Sequence, residues 1–211
     1  MMIPRTGKHR EQDGAALVEM AIVLPVLVLL VFGIIEFGIA FNKRLTIGNA
    51  TQSAARVATA VANNEYADIS ALRTLEQGLI SLPNNGRDVV KSVWIYKAAA
   101  DGDPANAGMG DVCVTNPCVN VYSYYYDPLN PTACKWTPCP DPDVGGYSLN
   151  WEPTDRHATV GDLDVLGVRV YFSHDWVTGA VPILDVSCSL PPAGCWADTA
   201  VMRLEPQQLG G

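Results

Sequence analysis

Residues 14–41, GAALVEMAIVLPVLVLLVFGIIEFGIAF, decide how this chain is organised. Between residues 15 and 41 only Glu19 and Glu36 are charged. A bilayer core of about 30 Å takes roughly 20 apolar residues at about 1.5 Å each, so a helix over this stretch can cross it with some tilt. A short basic leader, MMIPRTGKHREQD, precedes it and is closed by Gly14. A secretory signal would carry a shorter apolar region, about 7–15 residues, ahead of a small-x-small site such as Gly38-Ile39-Ala40. A plain anchor would need neither Gly14 nor Glu19, a carboxylate placed where lipid burial is costly.

Outward from this segment, the lysine and arginine balance gives only a weak positive-inside signal: Arg5, Lys8 and Arg10 precede it, Lys43 and Arg44 follow. The cysteines say more. All six lie downstream, as Cys113/Cys118, Cys134/Cys139 and Cys188/Cys195. An even number in local pairs is expected of disulfides in an oxidising compartment, which puts the C-terminal domain outside the cytoplasm. Pro117, Pro138 and Pro140, inside or beside the pairs, suit stapled loops, and pairing between neighbours is the expectation. Zinc is the rival account, but the two C-x4-C pairs miss the tighter knuckle spacing, so no metal is expected.

The helix is predicted to continue beyond the membrane. Residues 43–62 hold no proline, and Ile47, Ala50, Ala54, Val57, Ala58 and Val61 recur at helical spacing. That small-residue stripe would let the helix approach a sheet closely. Asn63-Asn64 marks a break, and a second helix is predicted from Asp68 to about Leu82-Pro83. From Asn84-Asn85-Gly86 onward the period changes. Residues 89–96, 119–126, 165–172 and 197–204 read as strands, rich in β-branched and aromatic residues. Alternation places Tyr122, Tyr124 and Tyr126 on one face, a core face more readily than a binding one. Loops 97–118 and 127–160 are dense in Gly, Pro, Asp and Asn, and loops of that length call for a staple or a function. The expected architecture is α+β: a long N-terminal helix, half transmembrane and half amphipathic, packed on a C-terminal antiparallel sheet with disulfide-stapled loops. The units are a leader (1–14), a membrane helix (15–41), a helical segment (42–83) and a β-rich domain (84–211).

Composition narrows the function. With 14 basic and 22 acidic residues the chain carries a formal charge of −8, a poor basis for binding nucleic acid. Ser173-His174-Asp175 are adjacent and point different ways along a strand end, unlike a catalytic triad. His157 has no evident ligand partners, and no metalloprotease, phosphate-loop or nucleophile-elbow motif is present. Asp68-x-Ser70-Ala71-Leu72 lacks the last serine of an adhesion-type metal site. The pairs Asp101/Asp103, Asp141/Asp143 and Asp162/Asp164 fit solvated turns better than calcium ligands. Neither an enzyme nor a cofactor is expected.

Gly14-Ala15-Ala16-Leu17-Val18-Glu19 and the following MAIVLPVLVLLVFGIIEFG resemble the N-terminus of the TadE-like minor pilins, or pseudopilins, of Tad-type (type IVb, Flp-type) pili. Leu24-Pro25, Ile35-Glu36-Phe37-Gly38 and, near the C-terminus, Thr199-Ala200-Val201-Met202-Arg203 fit the same pattern. The resemblance implies cleavage by a prepilin peptidase between Gly14 and Ala15, which makes Glu19 the fifth residue of the mature chain. It also implies a pilin-like fold and an anchor in the cytoplasmic membrane, with the domain extracytoplasmic or built into a pilus that supports adhesion. The implied partners are the peptidase, other Tad minor pilins, the major Flp-type pilin and the pilus assembly platform. The Ala15 amine left by cleavage would be positively charged at neutral pH and could neutralise Glu19 of a neighbouring subunit. A Glu19 that merely snorkels to the headgroups is the alternative. Pro25 removes one helical hydrogen bond, and Glu36 is expected near a hydrated interface. The other function class kept open is a membrane-anchored binding module that never enters a pilus.

Overall fold

The computed structural model describes residues 8–105, 113, 117–124, 134–144, 148–174, 188 and 194–207, with side chains from residue 14 onward. Residues 1–7, Tyr125, Tyr126 and Asp175 lie outside the described residues. Helix α1 runs Lys8–Val61 without interruption, Pro25 included. It ends where Ala62 turns left-handed (φ 49°) while its amide still bonds the Ala58 carbonyl at 2.9 Å. Helix α2 (Ala67–Leu79) buries Ile69, Leu72, Leu75 and Leu79, the heptad-like side of an amphipathic helix. A short 3₁₀ turn, Pro83–Gly86, follows, with Asn84, Asn85 and Gly86 all at positive φ. Asn and Gly are the residues that visit this region at least cost, which is why Asn-Asn-Gly can reverse the chain here.

Five strands form one sheet in the order β3 (Trp136–Thr137), β2 (Val119–Tyr124), β1 (Val90–Lys97), β6 (Val165–Phe172), β7 (Trp196–Arg203), antiparallel at each pairing. β4 (Ala158–Thr159) and β5 (Asp162–Leu163) make a separate small hairpin. The four expected strands are present, each within about two residues of its predicted bounds. The two-residue strands β3, β4 and β5 were not expected. Gly167 sits opposite Tyr96 across the β1–β6 pair, and a Cβ there would fall 2.3 Å from the ring. Glycine is thus what lets Tyr96 lie flat over β6.

The core lies between the sheet and the two helices. Ile47, Ala50, Ala54, Ala55 and Ala58 of α1 meet Leu72, Leu75 and Leu79 of α2 and Val93, Ile95, Val168 and Val170 of the central strands. The closest approach is at Gly78, where an added Cβ would stand 2.6 Å from that of Ala50. The three neighbouring cysteine pairs are disulfides: Cys113–Cys118, Cys134–Cys139 and Cys188–Cys195. The Cys134–Cys139 loop is held along α2. Glu76 accepts hydrogen bonds from Lys135 Nζ (2.9 Å) and Trp136 Nε1 (2.6 Å), Arg73 pairs with Asp141 (2.6 Å), and Tyr66 donates to Asp143 (3.1 Å).

Candidate membrane and assembly segment

α1 has two halves with opposite surroundings. From Ala15 to Ile35 its large apolar side chains stand in the open: Leu17 is 71% exposed, Leu29 72% and Ile34 72%. Burial within the domain begins at Glu36 (5%) and continues through Ala40, Ile47, Ala50 and Ala54. The free segment is 21 residues, about 31 Å of helix, close to the thickness of a bilayer core. Among the described residues α1 is the helix long and apolar enough to cross a membrane, and it fits a single-pass anchor.

Glu36 departs from expectation. It is buried, not hydrated at an interface. The reason lies in helical spacing: Glu36, Ala40 and Ile47 (i, i+4, i+11) share the face that packs on the domain. Extending the small-residue stripe upstream from Ile47 would have found this.

Gly14, Ala15 and Glu19 all lie in the free half, on exposed helix. No atom comes within 4 Å of a Cβ built on Gly14, so the glycine answers no packing demand of the folded chain. Ala15 and Glu19 are four apart and lie one above the other, with the glutamate side chain inclined toward the N-terminus. The six cysteines belong to the other end of the molecule, where they staple loops around the sheet.

The most elaborate polar cluster lies elsewhere and was missed from sequence. Asp68, in the first turn of α2, is fully buried. Its carboxylate accepts from Arg156 Nη2 (2.5 Å), Tyr122 Oη (2.6 Å) and Asn120 Nδ2 (2.9 Å). Asn120 also clasps the Trp151 backbone, accepting from its amide at 2.8 Å and donating to its carbonyl at 2.7 Å. The Arg156 guanidinium stacks 4.5 Å over the Trp151 ring. Burial, then the Asp68 carboxylate, pushes the Tyr122 hydroxyl well above its usual range. Three donors and a helix N-terminus offset the cost of a buried carboxylate, so this cluster locks α2, β2 and the 148–157 loop together. It confirms Tyr122 as a core residue.

Other expected loop residues separate on inspection. Asp164 is buried rather than solvated, pairing with Lys97 Nζ (2.7 Å) and accepting from the His157 amide (2.9 Å). The bonds to Lys97 and to the His157 amide across the hairpin hold it inward. Asp162 remains exposed, 3.2 Å from His157 Nδ1. Among the described residues no group of three His, Cys, Asp or Glu side chains could hold a metal ion. His174 lies flat against Trp196, 5.7 Å between ring centres.

The free half and most of the packed half of α1 coincide with a known pattern: residues 14–56 match the family model for TadE-like protein. The N-terminal helix is TadE-like. This ties the chain in general terms to Tad pili and to the membrane, since the TadE-like proteins are a pilus-associated structural family not known for catalysis. The match ends at Arg56, so the sheet and its loops lie outside it. Compared with the curated proteins and with the solved structures, the chain finds no match.

Proposed function

We propose that this protein is a minor pilin, or pseudopilin, of a Tad-type pilus, cut by a prepilin peptidase between Gly14 and Ala15 and then drawn into assembly through Glu19. One observation carries the reading. The TadE-like segment begins at Gly14, and the 21 residues after it stand clear of the folded domain as a bare apolar helix holding one carboxylate. Cleavage would convert the Ala15 nitrogen from an amide into a cationic amine, one helical turn from Glu19. In an isolated subunit the two groups of one chain can meet. In an assembly the amine of one subunit can neutralise Glu19 of the next, a pairing worth more in lipid than in water. The domain would stand on the extracytoplasmic side, where its three disulfides persist, and would support initiation or stability of the pilus and adhesion by it. Co-expression with a prepilin peptidase, followed by intact-mass measurement, tests the cut. A mass beginning at Ala15, abolished in Gly14→Leu, is expected; an uncut chain in the presence of active peptidase would refute it. Glu19→Ala should leave cleavage and insertion intact while lowering co-purification with pilus components.

A further inference from the structure

α1 and β7 run side by side in the same direction. Asp198 faces Gly48 and lies 3.9 Å from Arg44, while the Glu205 amide, past the end of β7, bonds the Thr59 carbonyl. Trp196 therefore starts β7 at the end of the domain nearest the free apolar segment. On α1, Phe37, Phe41 and Arg44 follow at i, i+4 and i+7 and form one ridge climbing from that segment. Both phenylalanines are more than half exposed. At the top of the ridge lies a crevice of about 300 Å³ lined, among the described residues, by Arg44, Trp196 and Ala197.

Its level matters. Arg44 is 29 residues beyond Ala15, about 44 Å along a straight helix, against about 40–45 Å for a bilayer including both headgroup layers. Counted from Ile35, where the segment that matches the core ends, Arg44 lies nine residues on, about 13 Å of helix. Helix tilt and the reach of the arginine side chain bring its guanidinium, with Trp196 beside it, to the headgroups of the domain-side leaflet. Their chemistry suits that place. Trp196 is 41% exposed and braced by Phe172 and His174, and among the described residues its indole N–H has no acceptor. Arg44 is 60% exposed, and its contact with Asp198 is too long for a hydrogen bond. Burial raises the Asp198 carboxyl, against the pull of Arg44.

We propose that this crevice is a phospholipid site: Arg44 takes the headgroup phosphate of a lipid in the domain-side leaflet, Trp196 sits at its glycerol level, and an acyl chain lies along Phe41 and Phe37. A guanidinium forks onto phosphate oxygens, and an indole prefers the boundary between chains and water. The net charge of −8 gives no long-range attraction for anionic lipid, so recognition is local and a zwitterionic phospholipid serves equally. The site seats the domain directly on the bilayer instead of holding it on a stalk. It rests on α1 spanning a membrane and not on cleavage at Gly14.

The test uses the full chain in phosphatidylcholine vesicles containing lipid brominated high on the acyl chain, which quenches tryptophan on contact. Wild type should be quenched, and Trp196→Phe should lose about half or more of the quenched signal. Arg44→Gln should reduce the phospholipid retained per chain in native mass spectrometry by about twofold or more, with far-UV circular dichroism unchanged. Equal quenching of wild type and Trp196→Phe, in protein shown to float with the vesicles, overturns the site while leaving the minor-pilin reading intact. Inorganic phosphate that shifts Trp196 emission in lipid-free detergent as strongly as lipid does would make the crevice a soluble-anion site and overturn the lipid assignment.

Discussion

The two halves of α1 are one continuous helix solved for two different environments. Residues 15–35 use large aliphatic and aromatic side chains, Leu, Val, Ile and Phe, and bury almost none of them in the protein. Residues 36–62 turn alanines inward, close enough at Ala50 for α2 to need glycine at position 78. Bulk serves where lipid is the solvent, because surface area alone sets the gain. Smallness serves where another backbone must come near. The difference also separates the roles of charge. Glu19, on the bare half, has no evident structural duty, whereas Glu36, on the packed half, is enclosed by the domain. A carboxylate without a fold to support is the better candidate for an assembly contact.

Substitutions can break or sharpen this contrast. The largest effect is expected in the domain that the packed half supports. Arg156→Met leaves Asp68 buried without its cation and should cost about 3–5 kcal/mol in denaturant unfolding. A loss under about 1 kcal/mol would mean water reaches Asp68. Next, Ile47→Ala on the packed half should cost about 2–5 kcal/mol, whereas Ile34→Ala on the bare half should change domain stability by less than about 0.5 kcal/mol. Equal effects at the two positions would erase the distinction. Gly78→Ala pushes α2 off Ala50 and should cost about 1–3 kcal/mol by overpacking, measured in the same way. A smaller signature comes from pH. The folded Tyr122 hydroxyl binds its proton more tightly than the unfolded one. Its contribution is therefore complete below the unfolded value of about 10 and declines as pH rises through the folded one. The melting temperature of wild type should fall above about pH 10 more steeply than that of Tyr122→Phe, and parallel curves would contradict the assignment.

Much of this was legible in the residues. The apolar length of 15–41, the stripe from Ile47 to Ala58 and the β-branched and aromatic run of residues 165–172 are local patterns, and each gave an element close to the one observed. Pairing of neighbouring cysteines was legible because short stapled loops sit where proline and glycine already break the chain. What escaped was non-local. Asp68 and Arg156 are 88 residues apart, and nothing near either one announces the other. β3, β4 and β5, at two residues each, are too short for periodicity to register. The inward turn of Asp164 follows from its pairing with Lys97, 67 residues earlier in the chain, and aspartates in Gly-rich stretches usually mark solvated turns. Of the proposed site, Gly14, Ala15 and Glu19 were found by resemblance, while Arg44 and Trp196 needed the sheet to bring them together.

The central claim is that the bare half of α1 begins, in the mature protein, at Ala15. Intact-mass measurement with N-terminal sequencing of the protein extracted from membranes tests it directly. A single species starting at Ala15 is the predicted result; a chain that keeps Met1, or one that starts beyond Ala40, contradicts it.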